Sequence, residues 1–158
     1  MKDVVLFAFS TSSSAATIPV TLKTANQDLG VNQNVASFVV PVGATINMDG
    51  TAIMQGLATV FIAQMSGIDL TLFQYMQVVL LAVATSIGTA AVPSAGTITL
   101  IIILQQFNLP LEAIGIILAV DRVLDMIRTS VNVTGDAAIA CIVAVSYTHL
   151  TLPTMELV

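Results

Sequence analysis

Runs of apolar residues along this chain are cut by short clusters of hydroxyl, amide, Gly and Pro residues, and the cuts predict its elements. Val4–Phe9 is apolar and stops at the hydroxyl-rich run from Ser10 to Thr17, after which Ile18-Pro19 opens a more polar segment carrying Lys23, Asn26, Gln27 and Asp28. Hydroxyl-rich sequence followed by Pro predicts a helix that stops and restarts there. Val35–Ile46 is apolar apart from Ser37 and Thr45, Asn47-Met48-Asp49-Gly50-Thr51 interrupts it, and apolar sequence resumes from Ala52 to Ala63. A helix broken at that point leaves backbone carbonyls free to turn toward a ligand. A Gly kink capped by Asn and Asp is the plainer reading, compatible with the first. Beyond the polar connection Gly67–Thr71, two apolar arms, Leu72–Thr85 and Thr97–Phe107, flank a Ser/Gly/Pro-rich tip at Ser86–Gly96. Neither arm reaches the roughly 20 residues of a full membrane span, so the pair predicts a re-entrant hairpin.

The last element carries the chemistry. At a helical advance of roughly 100° per residue, Asp121, Asp125, Arg128, Thr129, Asn132 and Asp136 fall in one sector about 100° wide. Leu124, Met126, Ile127, Val131 and Val133 point elsewhere. The stripe lies between apolar Leu111–Val120, interrupted only by Glu112, and apolar Ala137–Val145. A soluble helix with a solvated acidic face would show the same stripe. Composition decides against it: 56% of residues are hydrophobic and 8% charged, against about 25% charged in a soluble domain. Mean hydropathy is +0.98. Each Asp or Arg facing lipid at mid-span costs about 2.5–3.5 kcal/mol, so the stripe is expected to face protein or a watery cavity. The fold class predicted is therefore all-α integral membrane, multi-pass, in a cell membrane.

The same reasoning removes other classes. The net charge of -5 comes largely from aspartates of buried character, and no Lys/Arg patch suggests nucleic acid. The lone Cys141 excludes an internal disulfide framework, and the lone His149 has no partners for a triad or a His-based metal site. The start of the chain lacks the cleavage site of a signal peptide and reads as the interior of a helix. Superposing Pro19 on Pro93 brings Thr11-Ser12 onto Thr85-Ser86, Asn47 onto Asp121 and Thr51 onto Asp125. Each half is then a hairpin followed by a helix with polar groups at mid-depth, the pattern of an inverted repeat around a transport site.

If the tips approach the stripe, the available groups complement a small zwitterion with an extra carboxylate. Arg128 offers a planar fork for a carboxylate, and Asp125 can take an ammonium. Thr129, Asn132, Thr51 and tip N–H groups can bind further oxygens. Asp49, Asp136 and Asn47, with loose carbonyls, are hard oxygen ligands for cations. The plainer reading pairs Asp125 with Arg128, three residues apart, as a neutralised ion pair.

The motifs Asn47-Met48-Asp49-Gly50-Thr51, Ser86-Ile87-Gly88-Thr89 with Val92-Pro93, and Asp121 with Asp125-Met126-Ile127-Arg128-Thr129 and Asn132-Val133-Thr134-Gly135-Asp136 resemble the dicarboxylate/amino acid:cation symporter family. That family includes excitatory amino acid transporters and prokaryotic sodium–aspartate symporters, and the likeness runs from Val4 to Val145. It implies a first re-entrant hairpin over 1–30, a broken helix over 31–67, a second hairpin over 72–107 acting as gate, and a helix over 111–145. Together these are most of a transport domain that moves by an elevator motion. By resemblance, Asp125 binds the substrate amino group, Arg128 and Thr51 its side-chain carboxylate, and Thr129 and Asn132 its other polar groups, with Ser13, Ser14, Val92 and Pro93 contributing from the tips. Sodium ions are the implied cofactors. One site falls to Gly43, Asn47, Asn132 and Asp136, a second to Thr45, Ser86, Ile87 and Thr89, and a third to Asn47 and Asp49 with residues outside this stretch.

The resemblance also implies what lies outside the stretch: the scaffold helices through which relatives form homotrimers precede the first hairpin, so the chain reads as a fragment. Members carry a substrate-side arginine at one of two places, held here by Ser12 and Met126, which withholds any expectation about counter-ion coupling. Residues 146–158 follow no family pattern and read as a foreign tail. Sodium-coupled uptake of aspartate or glutamate is the leading expectation, with the chain not an enzyme. The same fold could instead carry neutral amino acids or four-carbon dicarboxylates. From another class, an intramembrane aspartyl protease would use aspartates such as Asp49 and Asp136, though Arg128 on the same stripe opposes the shared proton its dyad needs.

Overall fold

The computed structural model describes the backbone of residues 1–155 and the side chains of residues 1–148. Its main elements are seven α-helices among the described residues: α1 (Lys2–Thr11), α2 (Ser14–Gln27), α3 (Gln33–Ile46), α4 (Asp49–Met65), α5 (Leu72–Ile87), α6 (Ala95–Gln106) and α7 (Ile114–Met155), with a 3-10 turn at Leu111–Ala113. Helices α1 and α2 form one hairpin, α5 and α6 another. The tail of 146–158 continues α7 through Met155; His149 and the other side chains from 149 onward, and residues 156–158 altogether, lie outside the described residues.

Local chemistry explains the turns. Ser12 closes α1 in the left-handed region, and Ser13 caps α2 by accepting from Ala16 N at 3.2 Å. The cap starts α2 at Ser14, so the expected restart at Pro19 is corrected: Pro19 sits inside the helix. Its missing N–H leaves the Ala15 carbonyl unserved, which is tolerable because both residues are exposed. Helices α3 and α4 do break where the sequence indicates, at Asn47-Met48, both with non-helical angles. Thr71 and Gln74 form a reciprocal capping box at the start of α5.

Helix α7 packs against α1, α2, α3, α4 and α6. One apolar cluster joins α4, α6 and the start of α7 through Ile62, Leu100, Leu104 and Ile117. A second joins α2 and α3 to Ala140 farther along it, and a third sets Val4 and Ala8 of α1 on Val133. Most of the polar stripe of α7 lies between the first cluster and the other two. The outside is the reverse of a soluble protein: Leu72 is 80% exposed and Phe38 71%, whereas Asp136 is 1% exposed. Leu111–Thr148 is long and apolar enough to cross a membrane. In the full-length protein, Leu104→Ala is expected to cost about 2–5 kcal/mol, read as a lower thermal midpoint. Leu72→Ala, on the apolar outer surface, is expected to shift stability by less than about 0.5 kcal/mol.

Candidate functional site

All six polar residues of the α7 stripe are buried, while Arg122, Val123, Ile127 and Val131 on its other faces are exposed. Spacing of three and four residues puts the carboxylates of Asp121 and Asp125 beside the guanidinium of Arg128. Arg128 Nε donates to Asp125 Oδ1 at 3.1 Å, Nη2 donates to the same oxygen, and Nη2 lies 3.7 Å from Asp121 Oδ1. Asp121 also accepts from Thr97 Oγ1 of α6. The ion-pair reading of Asp125 and Arg128 therefore holds, yet it leaves the guanidinium incompletely used: Arg128 Nη1 is buried with no partner among the described residues. Gly96 is what admits that nitrogen, since a Cβ there would sit 2.7 Å from Nη1.

The hairpin tips meet over this pair. Ser13 Oγ and Ala15 N both donate to Ala91 O, at 2.9 and 3.3 Å, tying the first tip to the second. Ser94, in the left-handed region with φ 61°, donates its N–H to Asp125 Oδ2 at 2.9 Å. Beneath the tips lies a cavity of about 10 Å³, the space of one water. An amino acid fits there only if a tip moves. Ser14, Thr51, Val92, Asp125, Arg128, Thr129 and Asn132, all expected at the substrate site, line it. Ser13 and Pro93 do not: the Ser13 hydroxyl serves the cap and Ala91, and Pro93 is exposed.

A second polar centre sits at the break between α3 and α4. Asn47 Nδ2 donates to Asp136 Oδ1 at 3.0 Å and to Asn132 O at 3.4 Å, and Asn132 Oδ1 accepts from Gly50 N at 2.8 Å. Gly43 lies so close that a Cβ would be 2.6 Å from Asp136 Oδ1. The expected first cation set, Gly43, Asn47, Asn132 and Asp136, is thus brought together. Among the described residues the Asp136 carboxylate has no cationic partner. A buried carboxylate that meets an Asn47 N–H and no cationic side chain is an oxygen ligand of the kind hard cations take. No group of three or more His, Cys, Asp or Glu occurs among the described residues, so the donor set is not one for a soft metal.

The other expected cation residues are more scattered. Thr45 and Ile87 are exposed, and Ser86 and Thr89 are buried. The hydroxyls of Thr45 and Ser86 bond to carbonyls of their own helices, at Val42 and Val83, and that of Thr89, just past α5, bonds to the Thr85 carbonyl and pairs with Thr99 Oγ1. Thr89 also lines the cavity under the tips. Asp49, expected to need a partner in mid-span, is exposed at an outer groove with Val5, Phe9, Ser130 and Thr134. Ser12, at the place where the likeness puts a substrate-side arginine, lines the cavity. Two residues had no signal in the sequence: Thr97 holds Asp121, and Gln55 is fully buried between both arms of the second hairpin. Gln55 Nε2 donates to Gly96 O and Thr99 Oγ1, and its Oε1 accepts from Thr85 Oγ1. A single Gln in an apolar run shows its partners only after folding.

A sequence profile described as the Sodium:dicarboxylate symporter family matches residues 1–146. An excitatory amino acid transporter of Caenorhabditis elegans is 50% identical over 136 residues, covering 86% of this chain and 27% of its own length. Excitatory amino acid transporter 2 of Homo sapiens is 50% identical over 130 residues, covering 82% of this chain and 23% of its own. Excitatory amino acid transporter 4 of Mus musculus is 43% identical over 157 residues, covering 99% of this chain and 27% of its own. The chain spans about a quarter of the length of these curated relatives.

Two glycines of α4 separate site packing from helix propensity. A Cβ on Gly50 would lie 2.6 Å from the backbone oxygen of Arg128, whereas one on Gly56 meets nothing within 4 Å. Thermal unfolding is expected to show Gly50→Ala destabilising by about 1–3 kcal/mol. Gly56→Ala is expected to stabilise by about 1 kcal/mol.

Proposed function

The chain belongs to the Sodium:dicarboxylate symporter family, and on that premise we propose that it forms part of the transport core of a sodium-coupled carrier of acidic amino acids, aspartate or glutamate. Family membership implies sodium coupling and a small-molecule substrate, and the relatives are transporters rather than enzymes. The observation that carries the substrate assignment is Arg128. A buried guanidinium lining the cavity, with one nitrogen unused, calls for a further acceptor, and a carboxylate oxygen of the ligand makes the strongest partner for it. Asp125 supplies the complementary acceptor for an ammonium, and Thr51, Thr129 and Asn132 supply neutral polar groups around them.

Residues 1–30 and 72–107 act in this reading as re-entrant hairpins, with the broken helix of 31–67 and the helix of 111–145 completing the core of an inverted repeat. The second hairpin is the gate. Its tip is held shut through Ala91 O and Ser94 N, both breakable without disturbing a helix. Asp136, with Gly43, Asn47 and Asn132, holds sodium, which would supply the positive charge that its carboxylate lacks. Asp49, open on the outer surface, is left for an element outside this chain, and Thr45, Ser86, Ile87 and Thr89 form the second sodium set once the gate settles on its substrate. The complete protein is a multi-pass cell-membrane carrier, trimeric through its scaffold, whose core moves as an elevator.

Calorimetric titration of the full-length protein with aspartate, glutamate, serine and succinate, with and without sodium, tests the assignment. Acidic amino acids are expected to bind only with sodium; succinate binding equally well would move the substrate to four-carbon dicarboxylates, and tight serine binding would move it to neutral amino acids. Arg128→Cys is expected to abolish aspartate binding, and undiminished affinity would remove its assigned role. Asp136→Asn is expected to raise the sodium concentration for half-maximal aspartate binding by about tenfold or more, through loss of a charged ligand.

A further inference from the structure

Asp121 is the one buried carboxylate of the α7 stripe that the proposed function leaves without a task. It is 4% exposed and does not line the cavity under the tips, yet its Oδ1 lies 3.7 Å from Nη2 of Arg128. That gap is too long for a hydrogen bond and short enough for the charge to be felt. What holds the carboxylate there is Thr97, buried in the first turn of α6, whose Oγ1 donates to the same Oδ1. Three residues earlier, Ser94 donates its backbone N–H to Asp125 Oδ2. The start of one arm of the second hairpin thus restrains both carboxylates beside the guanidinium.

The two restraints differ in consequence. Asp125 already accepts from Nε and Nη2 of Arg128 through its Oδ1, so Ser94 takes only the oxygen that this pair leaves over. Asp121 has no such pair. Without the Thr97 hydroxyl, its remaining partner among the described residues is Arg128, and a charge-assisted bond would close the gap to about 2.8 Å. One guanidinium would then bind two carboxylates directly and keep less of its charge for a third. The third is the ligand carboxylate expected at Nη1, the nitrogen that has no partner.

We propose that Thr97 is a positioning residue for substrate binding, which reserves Arg128 for the ligand by holding Asp121 on α6. This deepens the proposed function and rests on it, and it gives a role in affinity to a side chain outside the cavity wall.

The test titrates L-aspartate, in saturating sodium, into the full-length protein and its T97S, T97C, T97V, D121N and T97V/D121N variants, with thermal midpoints measured in parallel. T97S keeps the hydroxyl and is expected to bind within about twofold of wild type, whereas T97V keeps the shape, removes the donor and is expected to bind about tenfold more weakly. T97C, with a weak S–H donor, is expected to fall between them. D121N and T97V/D121N are expected to bind alike, because no carboxylate remains for residue 97 to restrain. A threonine that only fills space cannot give that pattern, since its loss would weaken the double variant as much as the single one. Unchanged affinity in T97V and T97C would overturn the assignment, as would a loss from T97V that persists in the D121N background, abolished binding in D121N itself, or losses that track a falling midpoint. If T97V does not fold, T97C against T97S decides on the same terms. Wild-type protein that binds no aspartate with sodium would overturn the underlying transport reading, so the wild-type titration tells the two failures apart.

Discussion

The rest of the structure depends on keeping charge away from hydrocarbon at the middle of α7. Two carboxylates and one guanidinium, from Asp121, Asp125 and Arg128, share a buried layer in which Arg128 touches Asp125 directly and approaches Asp121. Removing one partner from such a pair costs about 3–5 kcal/mol because the other is left uncompensated. The surrounding helices meet that constraint by supplying donors. Thr97 of α6 donates to Asp121, and Ser94 at the second tip donates its N–H to Asp125. Apolar clusters on either side then close the layer from both ends.

The same bonds link solvation to access. The second tip is held over the cavity by the Ser94 N–H donated to Asp125, a bond to one of the charged residues themselves. The first tip holds the second at Ala91 through Ser13 and Ala15, which involves neither charged residue. The tips are therefore held by one contact to a charged residue and by another that involves none. Gln55, buried between the arms at Thr85, Gly96 and Thr99, ties both arms of the second hairpin to α4.

At the α3–α4 break the logic is different. No guanidinium or ammonium reaches Asp136 among the described residues; its neighbours are the Asn47 amide and a close-packed Gly43. A helix interrupted at mid-depth exposes carbonyl and amide oxygens that a continuous helix would consume. The two polar centres are joined through Asn132, whose backbone oxygen receives Asn47 and whose side chain receives Gly50 N and donates to Thr51. Asn132 is thus the residue that the two polar centres have in common.

The sequence by itself determined which helix face is polar, where α3 gives way to α4, and that two short apolar arms return on themselves, because periodicity and helix-breaking residues act locally. It also supported the family, since Arg128, Asn132 and Asp136 recur at fixed spacing along one helix. Tertiary structure alone decided how hydrogen-bonding capacity is shared out. Ser12 and Ser13 are adjacent and chemically identical, yet the Ser13 hydroxyl is spent on Ala91 while that of Ser12, at the left-handed end of α1, is buried without a partner. Thr97 and Gln55 look like ordinary polar interruptions until α6 packs against α4 and α7. Asp49 and Asp136 look alike in the sequence, and only packing left the first exposed and buried the second, because burial is a property of what other helices cover.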